Sequence, residues 1–80
     1  GIATSPHGPV GPLTIAAHVH CAAVAPNFLI LEFGWGEIPW RSTLTEPEEL
    51  IVNGRIAVDD RPGLGYTLNP DTVAKHRVDI

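Results

Sequence analysis

The segment Phe28-Leu29-Ile30-Leu31-Glu32-Phe33 sets the tightest limit on what this chain can fold into. Its five apolar residues run on without alternation, broken only by Glu32, and turn-forming Asn27 and Gly34 bound them. A continuous apolar run of that length reads as a strand covered on both faces, the pattern of a parallel sheet. Parallel strands need a crossover connection, and the preceding residues offer one. Gly1 to Thr4 read as the end of an earlier strand, and Pro12 to Ala25 as a helix. Pro12 suits a first helical turn, alanines fill the middle, and Pro26 closes the segment. The expected fold class is therefore α/β, beginning with a strand, helix, strand unit.

Such a unit is not a domain by itself, because its sheet faces and edges require neighbours. The helix points the same way: Leu13, Ile15, Ala16, Ala17, Val19, Cys21, Ala22, Ala23 and Val24 cover nearly its whole circumference, as expected of a helix buried on most sides. With 80 residues the chain has room for one small core, yet 44% of it is apolar and only 18% charged. Much of that apolar surface is expected to lie against another part of a protein. The absence of methionine and the opening Gly-Ile-Ala-Thr, which has no leader or tag features, lead us to expect a piece of a longer chain.

Downstream, residues 34–50 hold two tryptophans and two prolines without periodicity, and are expected to form a long ordered loop of the kind that often carries function. Asn53-Gly54 between β-branched residues predicts a two-residue type I′ hairpin that sets Ile51 opposite Ile56. Arg61-Pro62-Gly63-Leu64-Gly65 is a turn or loop, and Tyr66-Thr67-Leu68 a short strand. Asn69 as N-cap with Pro70 at the first helical position predicts a short helix to about His76.

Five basic residues against nine acidic ones give a net charge of -4, and the basic ones are scattered, so nucleic-acid binding has no basic face to rest on. No run approaches the ~20 apolar residues of a membrane span, and no secretory signal opens the chain. Cys21 is the single cysteine, which fits a reducing compartment and a cytoplasmic location.

Two residues carry the functional expectation. His7 sits in the rigid turn Ser5-Pro6-His7-Gly8-Pro9, just beyond the first strand, where parallel α/β structures gather catalytic groups. It suits proton exchange with a substrate, or it fills a turn without further role. Glu32, ending an apolar strand, must reach solvent or sit in a polar pocket, since burying a bare carboxylate is costly. On neighbouring strands about 4.8 Å apart, both side chains would reach one small ligand. Trp35, Trp40 and Arg41 follow in the loop, where they would wall a pocket and pair with a substrate carboxylate, or pack on another part of the protein. His18 and His20 point about 200° apart on a helix and cannot share an ion. Asp59 and Asp60 are expected to be solvated, and Cys21 to be a small core residue.

Ser5-Pro6-His7-Gly8-Pro9-Val10-Gly11-Pro12-Leu13, Pro26-Asn27-Phe28-Leu29-Ile30-Leu31-Glu32, Asn53-Gly54-Arg55-Ile56 and Pro62-Gly63-Leu64-Gly65 together resemble the C-terminal region of the mandelate racemase and muconate lactonizing enzyme relatives in the enolase superfamily. The galactonate and mannonate dehydratase branch is the most similar. The resemblance implies the last strand, helix, strand of a modified (β/α)7β TIM-like barrel in residues 1–50. It implies in residues 51–80 a tail, with the hairpin and short helix, returning to a capping domain. It also implies a magnesium-dependent lyase that abstracts the proton alpha to the carboxylate of a sugar acid and eliminates water to give a 2-keto-3-deoxy product. His7 would then transfer protons, and Glu32 would hydrogen-bond the substrate carboxylate or enediolate. The magnesium ligands would lie outside this chain, leaving the 80 residues inactive alone; the chain's partners would be the sugar-acid substrate and the rest of the barrel and the capping domain, and the intact enzyme would be a homo-oligomer. Racemization or epimerization would keep His7 and Glu32 with other acid-base partners. A non-catalytic interaction module would instead use the apolar surface as its partner site.

Overall fold

The computed structural model describes residues 1–79; Ile80, the last residue of the expected tail, lies outside them. Its elements are helix α1 (Pro12–Val24), a 3-10 turn (Arg41–Thr43), strands β1 (Thr45–Glu46) and β2 (Thr67–Leu68), and helix α2 (Pro70–His76). No helix among the described residues is long and apolar enough to cross a membrane.

Helix α1 forms where the sequence places it. Pro12, with no N–H to leave unpaired, stands in the first turn, and the Gly11 carbonyl accepts the first helical bond from Ile15 at 3.0 Å. Only Pro12, Ile15 and Ala16 are buried, however, while Val24 is 82% exposed. The expectation of burial on most sides is thus not met among the described residues, because chain packs against only one face of the helix. Cys21 is exposed as well, not in a core.

The expected strand pair around α1 is reduced to one parallel bridge, Thr4 with Phe28. Thr4 donates to the Asn27 carbonyl at 2.7 Å, and Leu29 donates to the Thr4 carbonyl at 2.8 Å. The crossover through α1 therefore joins two parallel segments, but residues beyond Phe28 make no ladder. Leu29 is 69% and Ile30 62% exposed. The physical reason is the one that defines such a strand: its stabilisation comes from neighbours on both sides, and these residues meet none here.

The second half is joined by short-range chemistry. Asn53 and Gly54 have φ of 52° and 71°, the paired positive values of a type I′ turn, and Val52 and Arg55 exchange backbone bonds of 2.9 and 3.0 Å. That bridge is isolated, so the hairpin stops before Ile51 and Ile56 form a ladder. The stretch expected to be loop contains the 3-10 turn and β1, which pairs antiparallel with β2 in the register Thr45 to Leu68 and Glu46 to Thr67. Asn69 caps α2, its side-chain oxygen accepting from the amides of Asp71 at 3.0 Å and Thr72 at 3.4 Å. The Thr72 hydroxyl, buried under the helix, donates to the Thr43 carbonyl at 3.1 Å and ties α2 to the 3-10 turn.

The radius of gyration is 13.6 Å, against about 11.6 Å for a compact domain of this length. The accessible surface is 6086 Å², against roughly 4,700 Å² for a folded monomer of this size. Part of the excess is apolar: an open groove of about 710 Å³ runs between Val19 and Ala22 of α1, the Phe28 to Ile30 run, and Ile56 of the hairpin segment.

Candidate active site

The parallel bridge at Thr4 and Phe28 fixes which residues leave the two segments side by side. In that register, the turn holding His7 emerges beside Glu32. The Gly8 amide donates to Glu32 Oε2 at 3.2 Å, and His7 Nδ1 lies 3.8 Å from the same oxygen. Gly8 is buried, and the approach depends on its lacking a side chain: a Cβ there would lie 3.1 Å from Val10 Cγ2 and 3.5 Å from the Glu32 carbonyl oxygen. One carboxylate oxygen is thus held by a backbone donor and faced by an imidazole.

The pair opens to solvent, with the His7 side chain 90% and the Glu32 side chain 51% exposed. Water screens the attraction between them, so the contact is one of placement more than of binding strength. An imidazole and a carboxylate at this separation can give and take protons on a small ligand lying across both.

The aromatic and cationic residues that follow Glu32 are placed differently. Trp35 is 76% exposed and tilted against Phe33, with ring centroids 6.4 Å apart. Trp40 stacks on His76 at 3.8 Å with 9° between the planes, joining the loop to the end of α2. Arg41 directs its guanidinium into the chain. Nε donates to Glu49 Oε1 at 2.6 Å, Nη2 to Glu49 Oε2 at 3.0 Å, and Nη1 to the Val10 carbonyl at 2.7 Å. The same group lies 4.6 Å from the centre of the Phe33 ring. Of the five expected site residues, the structure brings His7 and Glu32 together; Trp40 and Arg41 engage other parts of the chain.

Gly8 and Glu49 were missed from the sequence. The Pro-His-Gly-Pro turn carried a signal for Gly8, since glycine permits close backbone approach. Nothing in the spacing of Arg41 and Glu49 marks them as partners. The helical histidines stay apart from the site: the Ala16 carbonyl accepts from His20 Nδ1 at 2.8 Å, while His18 Nδ1 is buried without a partner among the described residues. Asp59, expected to be solvated, does lie at the surface, but it accepts from Arg61 Nε at 2.8 Å and from the Arg61 amide at 3.0 Å.

Comparison with known proteins identifies the family. The family described as enolase C-terminal domain-like matches residues 1–72. The chain belongs to that family. Within it, the chain is 37% identical over 73 residues to a D-xylonate dehydratase of Haloferax volcanii, a match covering 91% of this chain and 18% of that protein. A D-galactonate dehydratase family member of Musicola paradisiaca is 34% identical over 86 residues, covering 99% and 19%. A second such family member, from Oceanicola granulosus, is 35% identical over 65 residues, covering 81% and 16%. This enolase C-terminal domain-like chain therefore spans less than a fifth of the length of the curated relatives it matches. No solved structure matches it.

Proposed function

We propose that this chain is the C-terminal part of an acid-sugar dehydratase, a carbon–oxygen lyase acting on aldonates. The carrying observation is the His7–Glu32 pair, set 3.8 Å apart where two parallel segments end side by side. The names of the relatives supply the substrate class. In this reading residues 1–50 are the end of a (β/α)7β barrel, and the part from Ile51 onward is the tail that meets a capping domain. The exposed Leu29 and Ile30 would be covered by the barrel's remaining strands, and the excess accessible surface supports such a cover.

In the reaction, the proton on the carbon alpha to the substrate carboxylate is removed and the β-hydroxyl leaves as water. The resulting enol rearranges to a 2-keto-3-deoxy acid. His7, exposed and free to rotate toward a ligand, serves in proton transfer and protonates the departing hydroxyl. Glu32, fixed by the Gly8 amide, hydrogen-bonds the substrate carboxylate as it gains enediolate character, acting in its protonated form. Among the described residues, no three His, Cys, Asp or Glu side chains gather as metal ligands. The magnesium ion implied by the resemblance therefore finds no ligand set among the described residues of this chain.

The test is to incubate the intact protein with a panel of aldonates and to follow 2-keto-3-deoxy acids as their semicarbazones, in parallel with deuterium uptake from D2O at the alpha carbon. Keto-acid formation from at least one aldonate supports the dehydratase. Deuterium uptake without keto-acid would replace it with a racemase or epimerase, and neither signal would leave the interaction module.

A further inference from the structure

The proposed chemistry depends on the spacing of His7 and Glu32, yet neither side chain is held by burial, and one backbone bond from Gly8 is the direct tie between their segments at this point. We infer that Arg41 is a positioning residue for this pair, an inference that rests on the dehydratase reading of His7 and Glu32. Its guanidinium joins three parts of the chain. Through Val10 it holds the turn that carries His7, three residues away in sequence. By lying over Phe33 it covers the residue directly after Glu32. Through Glu49 it anchors the far end of the loop, with bonds of 2.6 and 3.0 Å to the two carboxylate oxygens.

Two features give this contact the stiffness that positioning requires. The Arg41 and Glu49 side chains are only 16% and 11% exposed, so the pair is shielded from the solvent that weakens surface ion pairs. A planar fork meeting both oxygens of one carboxylate fixes orientation as well as distance. Lysine reproduces the charge but not the fork. It cannot bond both Glu49 oxygens and the Val10 carbonyl in this arrangement, nor lie flat over Phe33.

The experiment uses the intact enzyme with Arg41→Met, Arg41→Lys and Glu49→Gln, read by steady-state kinetics and by hydrogen exchange with mass spectrometry. For Arg41→Met and Glu49→Gln, kcat is expected to fall about 10- to 100-fold with KM nearly unchanged, as for a small misplacement of reacting groups. Arg41→Lys is expected to fall between these variants and the parent. Exchange in residues 5–11, which include the Gly8 amide, is expected to rise about tenfold, while exchange in 15–22 of α1 stays at its parent level. Unchanged exchange in 5–11 would overturn the inference, as would an equal rise in α1, which marks a general loss of stability. A raised KM with exchange unchanged would make Arg41 a substrate contact instead. Glu49→Gln keeps the side chain's shape but removes its charge and sets an amide donor against one Arg41 N–H, so it breaks the fork with little change in packing and decides the matter if Arg41→Met fails to fold. The exchange readout needs no substrate: should no aldonate be dehydrated, the dehydratase reading fails by the assay, while the exchange pattern still decides whether Arg41 holds the pair.

Discussion

Residues 1–33 and residues 41–76 satisfy their backbones in opposite ways. The first region has one long helix and one parallel bridge, and its apolar run presents Leu29 and Ile30 to solvent. The second has only short elements, and they are tied together by the β1–β2 pairing, the Arg41–Glu49 fork, the Asn69 cap and the bond from Thr72 to Thr43. A parallel strand derives its stability from elements distant in sequence, whereas turns and caps are complete within a few residues. The region with the proposed chemistry is thus the one that depends on surroundings, and the other region acts as a local brace. Arg41 is where the brace meets the chemistry.

The sharpest way to break this comparison is to remove one of the two groups proposed to handle protons without touching packing. If the dehydratase proposal holds, Glu32→Gln or His7→Asn in the intact protein is expected to lower turnover about 10²- to 10⁴-fold, the range of a lost acid-base group. Circular dichroism should be unchanged, since both side chains are largely exposed. Near-normal turnover in either variant would remove that residue from the site. Leu29→Ala probes the dependence on surroundings directly. In the intact protein it should cost about 2–5 kcal/mol of unfolding free energy, the range for truncating a covered leucine. In the 80-residue chain alone it should cost almost nothing, because Leu29 is 69% exposed there. Equal effects in denaturant titrations of the two forms would mean that nothing covers this face.

Asn69→Ala asks the converse question of the second region. Two amides at the start of α2 lose their acceptor, and the expected cost is about 1 kcal/mol. Because the cap is complete within four residues, the shift in denaturation midpoint should be nearly the same in the intact protein and in the short chain. A much larger shift in the intact protein would show that α2 also supports a contact beyond this chain.

The same division explains what could be read from the sequence. Helix α1, the Asn53-Gly54 turn and the Asn69 cap each follow from a local rule, and each is present. The meeting of His7 and Glu32 was legible because a continuous apolar strand implies a parallel register, and that register carries the turn at His7 to the end of the run. The strand's pairing was not realised past Phe28, since pattern reveals a need for neighbours without supplying them. The β1–β2 pairing has two residues on each side and leaves no periodic trace. Arg41 was recognised as a cation near the site, but its partners are a main-chain oxygen 31 residues away and a glutamate among several in the same stretch.

The smallest expected effect tests whether the local stitching reaches the exposed turn at Asp59. Its carboxyl is held below the ordinary carboxylate range, first by the side-chain bond from Arg61 and then by the Arg61 amide. Arg61 in turn lies 4.8 Å over the Tyr66 ring, which leads into β2. A group titrating lower when folded contributes stability that is fully present above its unfolded value of about 3.9 and is lost as pH falls through the lowered folded value. Both partners are open to water, so the melting temperature should hardly move with Arg61→Leu, and salt should weaken the pair further. The titration itself is the sensitive readout. The Asp59 carboxyl carbon, followed by NMR, should titrate below the ordinary value in the parent and return toward it in Arg61→Leu. An unmoved midpoint would mean that the turn is not stitched in solution, and that the brace ends at the hairpin instead of continuing through Arg61 to β2.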